Sequence, residues 1–325
     1  YKPLDNQVIT YSVRTSIYTY LKMKNYPPGS KVLITGINIP TTPDIIHHLN
    51  LEYIAIDLDL NTLDMNSKDL SDKLKHEDIK CLIYSHLFGK INDIDYIIDL
   101  CKEKCIDFIE DCAECFTESY RGNPKSDMIC FSFGSIKKCS CFGGSATFLR
   151  DKNELENFKK ILKKYKYQST FSYVIKIVKY FFITFLTNNK YINIFFRYFM
   201  NLFKINTNDL FVNLIRNIPR NNLINNITCQ PCRLLTQYLL CRIKYYKDTN
   251  IINENYTLDN LNKSYIIPGC QSTVSNNYWL YPIYHKNISK IINKLDEKDI
   301  HYVKKISQLI CVDSKCLNSQ DIINN

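Results

Sequence analysis

The reactive side chains of this sequence gather in two short stretches. In FSFGSIKKCSCFGG (131–144) a hydroxyl at Ser132 stands five residues before an amine at Lys137, and the stretch closes on Gly143 and Gly144. Upstream, IDFIEDCAE (106–114) ends a β-rich run on Glu110, Asp111 and Glu114. A lysine in such a turn is ordinarily a solvated amine. One that attacks carbonyls has to sit among polar groups in a partly dry site, where it can give up its proton. An aspartate at a neighbouring strand end can hold a ring nitrogen protonated, and a serine hydroxyl can take a phosphate.

These residues matter only if the chain brings strand ends together, and the pattern of the first 150 residues does so. Apolar residues recur at helical spacing from Ser12 to Lys24, where Tyr26-Pro27-Pro28-Gly29 stops the helix. KVLITGINIP (31–40), YIAIDLDL (53–60), KCLIYSHL (80–87) and IDFIEDCAE read as strands, separated by helical PDIIHHLNL, KDLSDKLKH and DIDYIIDLCKEKC. MICFSF (128–133) and SATFLR (145–150) add two more strands. The alternation argues for βαβ units in an α/β domain with a mainly parallel sheet and flanking helices. A ligand of such a sheet lies outside the carboxyl ends of its strands. Asp111, Ser132 and Lys137 fall there. A chain of 325 residues suits more than one core, and the division read from it is a large α/β domain over 1–150, a basic and aromatic helical connector over 151–220, and a smaller α+β domain over 221–325.

A reactive lysine, a ring-nitrogen partner and a phosphate-binding hydroxyl are the parts that a pyridoxal phosphate site needs. With these in place, the sequence resembles the DegT/DnrJ/EryC1/StrS family of pyridoxal-phosphate-dependent sugar aminotransferases of fold type I. The resemblance is carried by IEDCAE followed by SDMICFSFGSIKKCSCFGGSATFLRD, in the family's order and spacing, with support from PPGSKVLI, YIAIDLDLNTLDM and YSHLFGKINDID. It covers roughly residues 10 to 155, and CQPCRLLTQYLL and NNYWLYPIY look like a divergent branch of the same family. It implies pyridoxal phosphate as cofactor, a homodimer, and transfer of an amino group from an amino-acid donor, glutamate, to a keto-sugar nucleotide. Lys137 would bond to the cofactor and move the substrate proton, Asp111 would hold the pyridine nitrogen protonated, and Ser132 would bind the phosphate. Glu114 stands where the family usually has Gln, near the ring's phenolic oxygen. Lys138 is the structural neighbour that points elsewhere.

Three positions depart from the family pattern. Its Gly-Thr phosphate site at the first helix is Val13-Arg14 here, beside Ser12 and Thr15. Arg14 either binds phosphate through its charge and the helix N-terminus or is a surface arginine. The aromatic residue that stacks on the ring is replaced by Ile39, and the segment that reaches the partner subunit's site appears only as Gln230-Pro231-Cys232. His86 either touches the substrate or cofactor edge or is a satisfied structural histidine. Tyr278 and Trp279 either line the cleft from the small-domain side or pack in the core, and Asp93 with Asp95 reads as a helix start. The sequence stops in SQDIINN where related proteins run on through a further helix, so both ends invite the expectation of a truncated chain.

Composition narrows the remaining readings. Apolar residues make up 45% and charged residues 23%, enough to bury a core. The net charge of +10 is spread widely, so no nucleic-acid partner is expected. The chain opens on YKPLDNQVIT without an apolar signal core, so its fourteen cysteines read as reduced thiols of a cytoplasmic protein. Cys112 with Cys115 and Cys229 with Cys232 could together make a four-thiolate zinc site, but packing cysteines are the better reading and no metal is expected. In YVIKIVKYFFITFL and NIFFRYFMNLF, the residues Lys176, Lys179, Lys190 and Arg197 interrupt the apolar run short of a membrane span. Core and dimer-packing helices are expected there, with contact between 171–204 and a membrane surface as the alternative. A degenerate family member that binds a partner or a membrane surface without turnover is the runner-up to an enzyme.

Overall fold

The computed structural model of the chain describes residues 6–76, 78–202, 222–248, 280, 282–283, 288–297 and 309–324. It begins with a strand that the sequence pattern does not single out, β1 (Gln7–Thr10). Helix α1 (Val13–Lys24) follows, capped by Ser12, whose Oγ accepts from Thr15 N at 3.2 Å. The expected alternation then runs as β2 (Lys31–Thr35), β3 (Ile37–Asn38), α2 (Thr41–His48), β4 (Glu52–Ile56), α3 (Ser67–Lys73), β5 (Ile79–Ser85), α4 (Asp95–Glu103), β6 (Asp107–Cys112), β7 (Met128–Ser132) and β8 (Ser145–Leu149). After it come α5 (Lys152–Leu162), β9 (Lys166–Tyr167), α6 (Thr170–Asn188), α7 (Lys190–Leu202), α8 (Leu223–Ile227), β10 (Cys229–Gln230), α9 (Arg233–Lys244), α10 (Ile288–Glu297), β11 (Ile310–Cys311) and α11 (Leu317–Asn324). Tyr278 and Trp279, expected either to line the cleft or to pack in the core, lie outside the described residues.

The main sheet has seven strands in the order β1-β8-β7-β6-β5-β2-β4. From β4 across to β7 every neighbour is parallel, while β7–β8 and β8–β1 are antiparallel. Central parallel strands are covered on both faces and therefore read as continuous apolar runs. Successive residues still alternate between the faces: Val32, Ile34, Cys81, Ile83 and Ile109 pack with α1 and α5 residues such as Ile17, Leu21 and Phe158. Leu33, Leu82, Tyr84 and Phe108 pack on the other side with Leu70, Ile97 and Ile98 from α3 and α4. The register that this fixes sets Ser85 beside Asp111 at the carboxyl edge.

The end of the chain returns to this unit. β11 pairs antiparallel with β3, and the start of α11 is held by a remote carboxylate: Asp57 accepts from Asn318 N at 3.1 Å, Ser319 N at 2.9 Å and Ser319 Oγ at 2.7 Å. Gly36 makes room for this docking, because a Cβ there would fall on Ser319 Oγ and 2.9 Å from Ile56 O.

The middle helices depart from the expectation of core helices. The inner stripe of α6, formed by Tyr173, Tyr180, Ile183 and Leu186, is buried, whereas its outer side and the described side chains of α7 are not. The lysines also fail to keep α6 too polar, since by length and composition Thr170–Asn188 is long and apolar enough to cross a membrane.

Replacing Gly36 with Ala should cost about 1–3 kcal/mol by overpacking, read as a lower urea midpoint. An unchanged midpoint would show that α11 does not dock as described.

Candidate active site

Three adjacent parallel strands, β3 and one helix start deliver their polar residues to a single cavity of about 130 Å³. β5 ends in Ser85 with His86 just beyond, β6 carries Asp111 near its end with Ala113 and Glu114 just beyond, and β7 ends in Ser132. Lys137 comes from the turn after β7, Asn38 from β3 with Ile39 just beyond it, and Ser12, Val13 and Arg14 from the start of α1. All of these line the cavity. The sequence-expected residues Lys137, Asp111, Ser132, Glu114, Arg14, Ile39 and His86 are thus brought together.

Asp111 is buried at the floor. Its Oδ1 accepts from Ala113 N at 3.0 Å and its Oδ2 from Ser85 Oγ at 3.5 Å. Burial raises its carboxyl; the Ala113 hydrogen bond counters this, the nearby Glu114 adds to it, and the balance leaves Asp111 at about 6. Opposite it, Lys137 Nζ lies 3.5 Å from Glu114 Oε1. Glu114 is itself fixed by Phe88 N, which donates to Oε2 at 2.8 Å. The turn carrying Lys137 is shaped by its glycines. Gly144 has φ 87°, and a Cβ on it would lie 2.6 Å from Leu239 Cδ1. The loop folds back through Gly143 N to Phe133 O and Phe133 N to Gly144 O, both 3.0 Å.

His86 joins the two readings left open for it. It is buried with Nε2 3.1 Å from Glu110 Oε1, yet it lines the cavity and its Nδ1 has no hydrogen-bond partner among the described residues. Burial alone would raise the Glu110 carboxyl, but bonds from His86, Tyr120 and Asn123 N and the charge of His86 hold it down to about 2. Glu110 is therefore the anchor that orients His86.

Arg14 is half-buried in the cavity lining. Burial lowers its pKa, as it does that of half-buried Lys176 on the inner side of α6, which lies outside the lining and which Lys179 and Arg14 depress further. Partly buried cations pressed together at a helix N-terminus fit a phosphate. Ser132 stands in the same lining, with Oγ accepting from Gly134 N at 3.4 Å. A buried carboxyl, an amine, a hydroxyl and a half-buried arginine in one lining fit pyridoxal phosphate. Asp111 would meet the ring nitrogen, Lys137 the aldehyde carbon and Ile39 the ring, while Ser132 and Arg14 would take the phosphate.

Two expected residues are placed elsewhere. Thr15 is turned away from the cavity, its Oγ1 donating to Ile227 O at 2.8 Å, so it ties α1 to α8. Gln230 is not among the lining residues; its Nε2 donates to Tyr165 O at 2.8 Å. Lys138 is likewise absent from the lining. The two CxxC pairs do not converge: His86, Cys112 and Cys115 place ligand-type atoms within 4.8 Å of one another, without Cys229 or Cys232. Burial pushes the Cys112 and Cys115 thiols up, and Cys112 Sγ donates to Glu110 Oε1 at 3.2 Å. Sequence reasoning missed Asn38 and Ser85, whose Nδ2 to Oγ bond of 3.3 Å supports Asp111. It counted Lys176 only as an interruption, whereas the structure sets it outside the lining but near enough to Arg14 for its charge to be felt. Ser85 had a signal, being a hydroxyl at the end of the strand next to IEDC.

Comparison with known proteins bears on the same region. The profile of the DegT/DnrJ/EryC1/StrS aminotransferase family matches residues 6–174. The chain is 29% identical over 115 residues to GDP-perosamine synthase of Escherichia coli O157:H7, covering 35% of this chain and 30% of that protein. It is 29% identical over 128 residues to UDP-2-acetamido-2-deoxy-3-oxo-D-glucuronate aminotransferase of Pseudomonas aeruginosa, covering 38% and 35%. The matches thus span about a third of the length of these relatives. Among solved structures, the aminotransferase TlmJ from Streptoalloteichus hindustanus is similar with a TM-score of 0.63 at 12% identity, covering 98% of this chain and 78% of that one. That likeness establishes the fold expected from the sequence.

The raised Asp111 carboxyl gives a pH signature. Because the folded chain holds this proton to about pH 6, well above the usual carboxylate range, its contribution favours folding below pH 4 and is lost as pH rises through 6. Without cofactor, the wild-type chain should therefore lose on the order of 3 kcal/mol relative to Asp111→Asn between pH 4 and pH 7, measured by urea unfolding. A pH-independent difference would contradict the assignment.

Proposed function

The chain belongs to the DegT/DnrJ/EryC1/StrS aminotransferase family, and from that premise we propose that it is a pyridoxal-phosphate-dependent aminotransferase acting on a keto-sugar nucleotide. The observation that carries this reading is the joint placement of Lys137, Asp111, Ser132 and Arg14 around one cavity. A decayed site would have no physical reason to keep the Asp111 carboxyl buried, since its burial costs more than the Ala113 hydrogen bond and the charges of Lys137 and His86 return.

The cofactor supplies an electron sink for the carbon that gains or loses the amino group. The chain's own groups do the rest. Lys137 holds the cofactor covalently, and its Nζ, when released, takes the proton from the donor's α-carbon and later returns one to the sugar carbon. Asp111 keeps the ring nitrogen protonated. Glu114, fixed by Phe88 N, faces Lys137 Nζ and steadies its position. Ile39 offers an aliphatic surface where a stacked aromatic would serve elsewhere, so ring orientation depends more on the Asp111 and phosphate contacts. Names of the relatives, a GDP-perosamine synthase and a UDP-sugar aminotransferase, support a nucleotide-linked sugar as acceptor. Glutamate as donor and a homodimer complete the reading on family resemblance, and a cytoplasmic location on the reading of the cysteines as reduced thiols.

Purified chain mixed with pyridoxal phosphate should develop a protein-bound visible absorption band that glutamate discharges. Lys137→Ala should abolish the band and transamination together, while Lys138→Ala should keep both. A chain that neither develops the band nor gains thermal stability with the cofactor would overturn the proposal.

A further inference from the structure

Helix α6 has two apolar faces, and the loop that follows Lys137 covers one. On the inner side Tyr173 OH donates to Cys141 O at 2.8 Å and Tyr180 stacks on Phe142, 5.4 Å between ring centroids. The outer side carries Phe171, Val174, Ile175, Val178, Phe181 and Phe182, then Phe185, at helical spacing and all exposed. Phe171 is 74% and Phe181 72% exposed. The adjoining α7 repeats the pattern with Tyr191, Ile194, Phe195, Tyr198, Phe199 and Leu202, Tyr191 being 83% exposed. A surface of this extent and regularity marks an interaction site.

Its charge identifies the occupant. Between Asn157 and Asn208 the sequence has ten lysines or arginines and no aspartate or glutamate. Lys163, Lys164 and Lys166, just before α6, are exposed. A second copy docking through the same patch would set like charge against like, because an isologous interface meets itself. An anionic bilayer meets both the charge and the aromatic stripe. We propose that α6 and α7 lie in the surface of an anionic membrane, their aromatic stripes in the boundary between headgroups and acyl chains.

An in-plane position follows from the same residues. Lys176 and Lys179 sit near mid-helix and would fall at the hydrocarbon centre of a spanning helix. The inner stripe is packed on the 139–144 loop, which leaves only the outer side for lipid. The membrane then lies about one helix diameter, roughly 10 Å, from the loop that follows Lys137.

The test is flotation of the full chain with vesicles on a density gradient, where aggregate sinks and bound protein rises. The chain should float with phosphatidylcholine–phosphatidylglycerol vesicles and stay at the bottom with phosphatidylcholine alone. A Phe181→Ser/Phe182→Ser/Phe185→Ser variant and a Lys163→Glu/Lys164→Glu/Lys166→Glu variant should each lose flotation by roughly tenfold or more. Both should keep the far-ultraviolet circular dichroism of the parent, which separates lost binding from lost folding and makes the readout independent of turnover. Absence of flotation with anionic vesicles, or equal flotation with neutral ones, would overturn the proposal. So would a lipid-free sedimentation experiment in which the serine variant splits an oligomer, since the stripe would then belong to a second copy.

Discussion

Sealing the Asp111 carboxyl into the carboxyl edge of the sheet costs more than the hydrogen bond from Ala113 N returns. The arrangement around it follows from that imbalance. Ser85 and Asn38 hold the group in place, and the parallel register of β5 and β6 sets Ser85 directly beside it. The charges of Lys137 and His86 offset part of the remaining cost, and a cation seated against the carboxyl would offset the rest. A protonated ring nitrogen is such a cation. Arg14 in the same lining, with the charge of Lys176 near it, poses the mirror problem, half-buried positive charge that an anion would satisfy. A ligand with a cationic ring and a phosphate relieves both at once.

The carboxylate below Asp111 in the same strand behaves in the opposite way. Glu110 is fully satisfied by His86, Tyr120, Asn123 and Ser126, and it is held down to about 2. Adjacent residues on one strand point to opposite faces, so one acid enters the cavity and the other stabilises its wall. His86 belongs to both, with one nitrogen on Glu110 and the other unpartnered among the described residues.

What the sequence revealed, and what it hid, divides along local and non-local lines. Alternating strands and helices and the set of Asp111, Ser132 and Lys137 were legible because each depends on a few neighbouring residues. β1 is four residues long and mostly half-buried, too short for a period to emerge. The pairing of β3 with β11 and the grip of Asp57 on α11 join segments from opposite ends of the chain, and no local pattern encodes them. Thr15 looked like a phosphate ligand because it stands at a helix start, yet that start also faces α8, and Ile227 O claims its hydroxyl. A helix apolar on both sides reads from sequence as buried; only the fold distinguishes the face of α6 that packs from the face that does not.

The central claim is that Lys137, and not its neighbour, is the amine held against the Asp111 pocket. Borohydride reduction of the chain loaded with pyridoxal phosphate, followed by mass mapping of its peptides, tests it most directly. The account predicts one phosphopyridoxyl group fixed on Lys137. A label on Lys138, a label scattered over surface lysines, or none would contradict it.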